Sequence, residues 1–207
     1  QRQMCIRDRS RDIWKRIIHL QCLGRLYQIN PEFILRLIVG EKELKMLDAY
    51  RAHVEERSLL GIPPKPLDPQ QTEGLIELLK NPPEGEESYL VDLISHRIPP
   101  GVDESAYLKA GFLSAIVKEE VSSSLISREA AVSLLGKMHG GYNVATLTEL
   151  LDDDRLASLA AEQLKNTVLI FDAFHDITEK ADSGNESAKE VLHSWANAEW
   201  FTCLLYT

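Results

Sequence analysis

Apolar side chains recur at intervals of three and four residues along most of the chain after residue 68, and polar side chains fill the positions between them. That spacing places the apolar side chains on one side of an α-helix. Only the segment 167–171 has a β-forming composition, and it lies inside a helical stripe. The pattern therefore predicts an all-α protein, whose helices begin near Asp68, Glu86, Asp103, Ser127, Asn143 and Asp152, and after Asn185.

Local start and stop signals support this division. Asp68-Pro69-Gln70-Gln71 combines an N-cap residue, a proline at the first helical position and a capping-box glutamine. Asn81-Pro82-Pro83 ends that helix, and Gly140-Gly141 ends a later one. Asp152–Asp154 places negative charge where a helix dipole favours it, at the start of a long helix whose stripe runs from Leu156 to Ile177.

The predicted helices form pairs that are joined by short turns rich in Pro and Gly. The helix starts at Asp68, Asp103 and Asn143 are 35 and 40 residues apart. This spacing is typical of a HEAT-like helical-hairpin solenoid, in which each pair buries one face on the next. The repeats share no sequence consensus, so an irregular helical bundle is the alternative fold.

The first 45 residues differ in charge from the remainder of the chain. They hold ten basic and five acidic side chains, whereas the whole chain has a net charge of −9. Met46 stands at this step and is a candidate native initiator, so we predict a non-native or upstream leader at 1–45, a helical domain at 46–202 and a foreign tail at 203–207. The alternative is a genuine basic arm, in which 10–45 is helical and begins at Ser10 or at Asn30-Pro31. The acidic body argues against binding to nucleic acid or to anionic membranes.

The cysteine positions and the hydropathy pattern exclude several kinds of site and segment. Cys5, Cys22 and Cys203 have no metal-ligand spacing and cannot form a disulfide framework, which favours a reducing compartment. No uninterrupted apolar run reaches the 18 or so residues needed to span a bilayer, and the N-terminus lacks a secretory apolar core.

Three further groups of residues are candidates for chemistry or for packing. His139-Gly140-Gly141 could present backbone N–H groups to an anion, although a tight turn is the plainer interpretation. Asp172, His175 and Asp176 lie within about one helical turn, and a small metalloenzyme using them is a minor hypothesis. The aromatic residues Phe171, Phe174, Trp195 and Trp200 are predicted to form one terminal cluster. Separately, Trp195, Trp200 and Phe201 are expected to be exposed where a further domain would have covered them. From its residues alone the chain is an interaction or structural module, and no catalytic, cofactor-binding or metal-binding residue is assigned.

Several strings resemble the opening of the bacterial aconitase B family, in the order of that family. The strings that carry this resemblance are 47–57, 61–67, 77–83, 99–104, 107–113, 135–143 and 194–201. They include Gly61-Ile62-Pro63-Pro64-Lys65-Pro66-Leu67 and Ser194-Trp195-Ala196-Asn197-Ala198-Glu199-Trp200-Phe201. The resemblance covers about three quarters of the chain and only the first fifth or so of such an enzyme.

The resemblance implies a HEAT-like N-terminal domain without catalytic residues. Enzymes of this family interconvert citrate and isocitrate through cis-aconitate in the tricarboxylic acid cycle, and they also act as 2-methylisocitrate dehydratases. Their [4Fe–4S] cluster and active-site residues belong to later domains, so none is carried over to this chain. The resemblance also implies a bacterial cytoplasmic location, contacts with the remaining aconitase domains, and self-association or binding of other metabolic proteins. A stand-alone helical-repeat adaptor is the alternative.

Overall fold

The computed structural model describes residues 31–167 and 170–199, and within these ranges all regular secondary structure is helical. This confirms the all-α class. The helices are α1 Pro31–Leu59, α2 Pro69–Lys80, α3 Glu87–His96, α4 Glu104–Val117, α5 Arg128–Gly136, α6 Val144–Glu149, α7 Ala157–Lys165, α8 Ile170–Asp182 and α9 Glu186–Ala196. Ser10, Trp200, Phe201, the three cysteines and the predicted tail at 203–207 lie outside the described residues.

The chain divides into two compact units, of which the first ends at His53 and the second begins at Val54. Helix α1 begins at Pro31, as the Asn30-Pro31 signal predicts. Helix α1 runs through Met46 without a break, so no helix begins at the candidate initiator. Gly40 has the lowest helix propensity between Pro31 and Met46, and its cost of about 1 kcal/mol does not interrupt a helix of this length. The proposed boundaries at 45/46 and 202/203 stay predictions.

Side-chain caps start four helices of the second unit where the sequence predicts them. Gln71 N–H donates to Asp68 Oδ1 at 2.8 Å, and Asp68 N–H donates to Gln71 Oε1 at 3.0 Å, so the capping box at α2 is complete. The side chains of Asp103, Ser127 and Asn185 cap α4, α5 and α9 in the same way. Each cap is worth about 1 kcal/mol and fixes where its helix begins.

The predicted long helix from Asp152 to Ile177 is wrong, because the structure divides this stretch into α7 and α8. The break follows Lys165, where Asn166 and Thr167 are both poor helix formers. Asn166 Nδ2–H donates to the carbonyl oxygen of Glu162 at 2.9 Å, which satisfies a carbonyl near the end of α7. The segment 167–171, which has a β-forming composition, therefore follows the end of a helix, although the apolar stripe continues across it.

Asn143 precedes α6 as predicted, but its side chain does not cap that helix. It is buried, and its amide donates to the carbonyl oxygens of Leu135 at 2.7 Å and Met138 at 3.3 Å. Asn143 thus closes the end of α5 rather than the start of α6. Helix α6 is short and continues into a 3-10 turn at Leu150–Asp152.

The helices of the second unit pack in successive pairs. α2 packs on α3, α4 on α5, α6 on α7 and α8 on α9, and further contacts join α2 to α4, α5 to α7, α6 to α8 and α7 to α9. In a regular stack α3 would also pack on α5, and α4 on α6. The Ser114 and Thr146 hydroxyls lie 2.8 Å apart, so α4 does meet α6, but among the described residues α3 and α5 pack less extensively than the pairs above. The HEAT-like solenoid therefore stays a prediction, with the irregular bundle as its alternative. The core consists mainly of Leu75, Leu79, Leu90, Ile94, Leu113, Leu135, Leu147, Leu151, Leu156 and Leu164.

Candidate interaction groove and a buried lysine

An apolar groove of about 410 Å³ opens beside α4. Its lining comes from α2, from α4, and from the turns on either side of α5. The lining includes Ile76, Tyr107, Leu108, Gly111, Ala115 and Tyr142. Tyr107, Gly111 and Ala115 are spaced by four residues, so they form one stripe along α4.

Two tyrosines form one wall of this groove. The rings of Tyr107 and Tyr142 meet edge to face, with centroids 5.3 Å apart. The Tyr142 hydroxyl donates to the carbonyl oxygen of Val102 at 2.9 Å, which fixes its ring against the turn before α4. Tyr107 stays 60 % exposed. The wall is therefore an aromatic surface whose Tyr142 ring is held in place by the fold and whose Tyr107 ring remains exposed.

The string His139-Gly140-Gly141 forms the turn that supports this wall. His139 N–H donates to the carbonyl oxygen of Pro100 at 2.8 Å, so this amide is not available to an anion. Gly140 packs so closely on Gly101 that a methyl group at residue 140 would overlap the Gly101 carbonyl. The structure favours the turn interpretation of this string over the anion-binding one.

Gly111 differs from Gly140, because no described residue prevents a side chain at this position. A Cβ atom at Gly111 would meet no atom of the described residues within 4 Å. Glycine in a helix interior destabilises the helix by about 1 kcal/mol relative to alanine. At this position it leaves the groove floor open, so that another backbone can approach α4 closely.

The predicted aromatic cluster at the C-terminal end is wrong for the residues that the structure describes. Trp195 is only 3 % exposed, and its Nε1–H donates to the carbonyl oxygen of Leu164 at 3.0 Å. Phe171 is 92 % exposed, and Phe174 also faces solvent. The reason is the break before α8, which turns Ala173, Ile177 and Ala181 inward in place of the two phenylalanines. The expectation that Trp195 becomes exposed is also wrong, because its side chain is buried with its indole N–H bonded to Leu164 of α7.

The residues of the minor metal hypothesis are only partly described. His175 and Asp176 are exposed on α8, and the His175 ring lies edge to face with Phe174, with centroids 5.8 Å apart. The side chain of Asp172 lies outside the described residues. Within the described residues, no three His, Cys, Asp or Glu side chains come together as a metal site. None of the described helices is long and apolar enough to cross a bilayer.

Lys109 is a feature that the sequence analysis missed. It lies on the buried side of α4 and is only 3 % exposed. Burial, with a smaller contribution from the positive charge of Lys137, lowers the pKa of Lys109 to about 8. No sequence pattern predicts this burial, because a lysine within an apolar helix ordinarily marks the solvent face.

Fold and surface together define an all-helical domain with an open apolar groove. The family model described as the aconitate B N-terminal domain matches residues 49–201, and the chain belongs to this family. Over 156 residues the chain is 65 % identical to aconitate hydratase B of Pseudomonas aeruginosa and 58 % identical to that of Escherichia coli. Its identity to aconitate hydratase B of Helicobacter pylori is 42 % over 157 residues. Each match covers 75 % of this chain and 18 % of the relative, so the chain spans about a fifth of the length of these relatives.

Proposed function

We propose that this chain is the non-catalytic helical domain of an aconitate hydratase, and that later domains of the longer polypeptide carry the reaction. That reaction is the interconversion of citrate and isocitrate through cis-aconitate in the tricarboxylic acid cycle, with 2-methylisocitrate dehydration as a second activity. The bacterial cytoplasm is its proposed location. The observation that carries the proposal is the continuous match of residues 49–201 to the aconitate B N-terminal domain, with 65 % identity to one relative over 156 residues.

The [4Fe–4S] cluster of such an enzyme belongs, in this proposal, to the later domains. A cluster of this kind is held by cysteine thiolates. The three cysteines of this chain lie outside the described residues, and the described residues hold no group of metal-ligating side chains. The described part of the chain thus offers no fit for the cluster, and no step of the reaction is assigned to it.

The groove beside α4 is the surface that we assign to contact with the remaining domains. Three observations support this role: Tyr107 is exposed on the groove wall, Gly111 leaves the floor open, and the relatives continue for several times the length of this chain. Aromatic side chains beside a close-approach surface are typical of protein contacts. Self-association and binding of a separate metabolic protein are the competing occupants.

A chimaera tests the proposal. Residues 46–201 of this chain would replace the corresponding segment of the Pseudomonas aeruginosa enzyme, and aconitate hydration would be measured by absorbance. We expect the chimaera to be active and the 207-residue chain alone to be inactive, even after reconstitution with iron and sulfide. Turnover by the chain alone, or a folded and iron-loaded chimaera without turnover, would contradict the proposal.

A groove variant tests which surface makes the contact. Gly111→Gln places a long polar side chain over the groove floor, and glutamine favours the helix more than glycine does. In the chimaera we expect faster limited proteolysis between the helical domain and the remaining domains, without a loss of helix content. Ala130→Gln, at an exposed position of α5 outside the groove, is the matched control. If Gly111→Gln instead changes only the sedimentation of the isolated chain, the groove serves self-association and the assignment is wrong.

A further inference from the structure

Helix α8 exposes aromatic side chains near its beginning. Phe171 is 92 % exposed and Phe174 is 45 % exposed, and their spacing puts both on one side of the helix. The exposed ring of His175 lies edge to face with Phe174 and extends this surface. Single exposed apolar side chains are ordinary, but aromatic rings grouped on one helix face are typical of a surface that a partner covers. We call Phe171, Phe174 and His175 the α8 aromatic face.

Helix α8 is attached to the described part of the domain by its other side. Ala173, Ile177 and Ala181 are buried there, where α8 packs on its neighbours. Thr178, one turn beyond Phe174, donates its hydroxyl proton to the Phe174 carbonyl oxygen at 2.7 Å, so this proton is used within the helix. The α8 aromatic face is therefore mainly apolar, and an apolar surface is what fits it.

The last two helices place this face beside the point at which the chain leaves the domain. Three residues connect α8 to α9, and two helices that pack on each other through so short a connection run antiparallel. The end of α9 therefore lies beside the beginning of α8, where Phe171 stands. The Trp195 hydrogen bond to Leu164 supports this placement independently, because it ties the last turn of α9 to the end of α7, just before α8 begins.

We propose that the α8 aromatic face docks on the domain that directly follows residue 201 in the longer polypeptide. This rests on the proposed function, which makes the chain the first domain of a longer enzyme. The family model describes an N-terminal domain and ends at residue 201, and the match covers 18 % of the relative, so most of such a polypeptide follows this point. A domain that begins so close to an exposed aromatic face is held near it at a high effective concentration, which favours docking there over a second copy of the chain.

Photo-crosslinking in the chimaera tests which surface covers the face. The photo-reactive residue p-benzoylphenylalanine would replace Phe171, and the crosslinked peptides would be identified by mass spectrometry. We expect crosslinks to peptides that follow residue 201 in the same molecule. The control places the same residue at Asp176, which is exposed on another side of α8 and should give no such crosslink. The proposal is overturned by crosslinks to a second molecule, by crosslinks only within residues 46–201, by none at all, or by equal crosslinking from residue 176.

A substitution measures what the contact contributes. Phe171→Gln removes the ring, and because this ring faces solvent, the urea midpoint of the 207-residue chain should not change. In the chimaera we expect limited proteolysis just after residue 201 to become at least tenfold faster, while Asp176→Gln leaves its rate unchanged. A lower urea midpoint in the 207-residue chain, or an unchanged proteolysis rate in the chimaera, would show that Phe171 does not serve this contact.

The same chimaera separates this inference from the proposed function. Turnover without a crosslink from residue 171 to the following domain would leave the proposed function standing and remove only the docking surface. A crosslink to the following domain in a folded, iron-loaded chimaera without turnover would support the docking surface and contradict the proposed function.

Discussion

The two ends of the α4–α5 hairpin hold a basic side chain in opposite ways. At the turn between the helices, Arg128 Nε–H donates to the Val117 carbonyl oxygen at 2.9 Å, and its Nη2 donates to Asp153 at 2.7 Å. At the far end, Lys109 is more deeply buried and has no partner among the described residues. We call these the Arg128 end and the Lys109 end. The first uses a cation to close the fold, whereas the second keeps a cation that the fold does not need.

The Lys109 end is held instead by close backbone packing. The turn at 139–142 lies against the turn at 100–103 through the contact of Gly140 with Gly101 and through the Tyr142 hydrogen bond to Val102. Such packing demands a small residue and tolerates little change. The comparison therefore predicts that the two ends fail by different substitutions.

Gly140→Ala should give the largest loss of stability at the Lys109 end. The new methyl group overlaps the Gly101 carbonyl, and relief requires a backbone shift that lowers the free energy of unfolding by about 3 kcal/mol. Urea unfolding followed by circular dichroism measures the effect. Gly111→Ala is the matched control, because its methyl group enters open space and should raise the stability by about 1 kcal/mol. Equal effects at the two glycines would show that the Gly140 contact does not hold this end.

Arg128→Ala should give the next largest loss, at the opposite end. It removes two hydrogen bonds and leaves Asp153 without its strongest partner, which lowers the free energy of unfolding by about 2 kcal/mol. The hydrogen bond from Arg128 lowers the pKa of Asp153, so this stabilisation is present above the ordinary pKa of about 4 and is lost as the pH falls through the lower folded value. Urea unfolding at pH 7 and at decreasing pH should show the difference between wild type and variant shrinking in acid. A difference that does not change in acid would mean that Asp153 is not the partner that matters.

The sequence predicts the helix starts of the second unit better than it predicts the break between α7 and α8, and the reason is physical. The starts of α2, α4, α5 and α9 follow from Asp68, Asp103, Ser127 and Asn185, because a cap is a local interaction of residues three positions apart. The break at Asn166 was missed because an apolar stripe continues across it.

Helix α4 shows why the groove and Lys109 were not predicted. Apolar residues surround this helix, so its sequence has no single apolar face. Spacing alone does not show that Leu108 and Ala115 line the groove instead of the core. The aromatic wall joins Tyr107 to Tyr142, which are brought together only by the packing of two turns. Contacts between residues so distant in sequence carry no periodic signal.

Lys109→Met tests the claim that the fold does not need this cation. A thioether side chain of similar length removes a charge that burial of the side chain partly desolvates, and we expect the free energy of unfolding at pH 7 to rise by about 2 kcal/mol. The folded pKa of about 8 lies below the unfolded value of 10.5, so the unfolded chain binds more protons between these values, and wild-type stability rises with pH across that window. The advantage of the variant should therefore fall toward zero as the pH rises from 8 to 10.5, in urea titrations of both proteins. An advantage that is constant with pH would show that packing, and not charge, explains the gain.

Glu119→Gly should give the smallest effect and separates backbone strain from ion pairing at the Arg128 end. Glu119 has a φ of 61°, a left-handed conformation that glycine adopts freely, and its carboxylate lies 3.1 Å from Arg128. The carboxylate is largely exposed, so this ion pair contributes only a few tenths of a kcal/mol. Glycine relieves about 1 kcal/mol of strain, and the net gain in stability should be about 0.5 kcal/mol in urea unfolding. Glu119→Ala is the matched control, since it loses the ion pair but keeps the Cβ atom and should lower the stability slightly. A loss with both variants would mean that Arg128 depends on Glu119 as much as on Asp153, and that the Arg128 end is closed by three charges acting together.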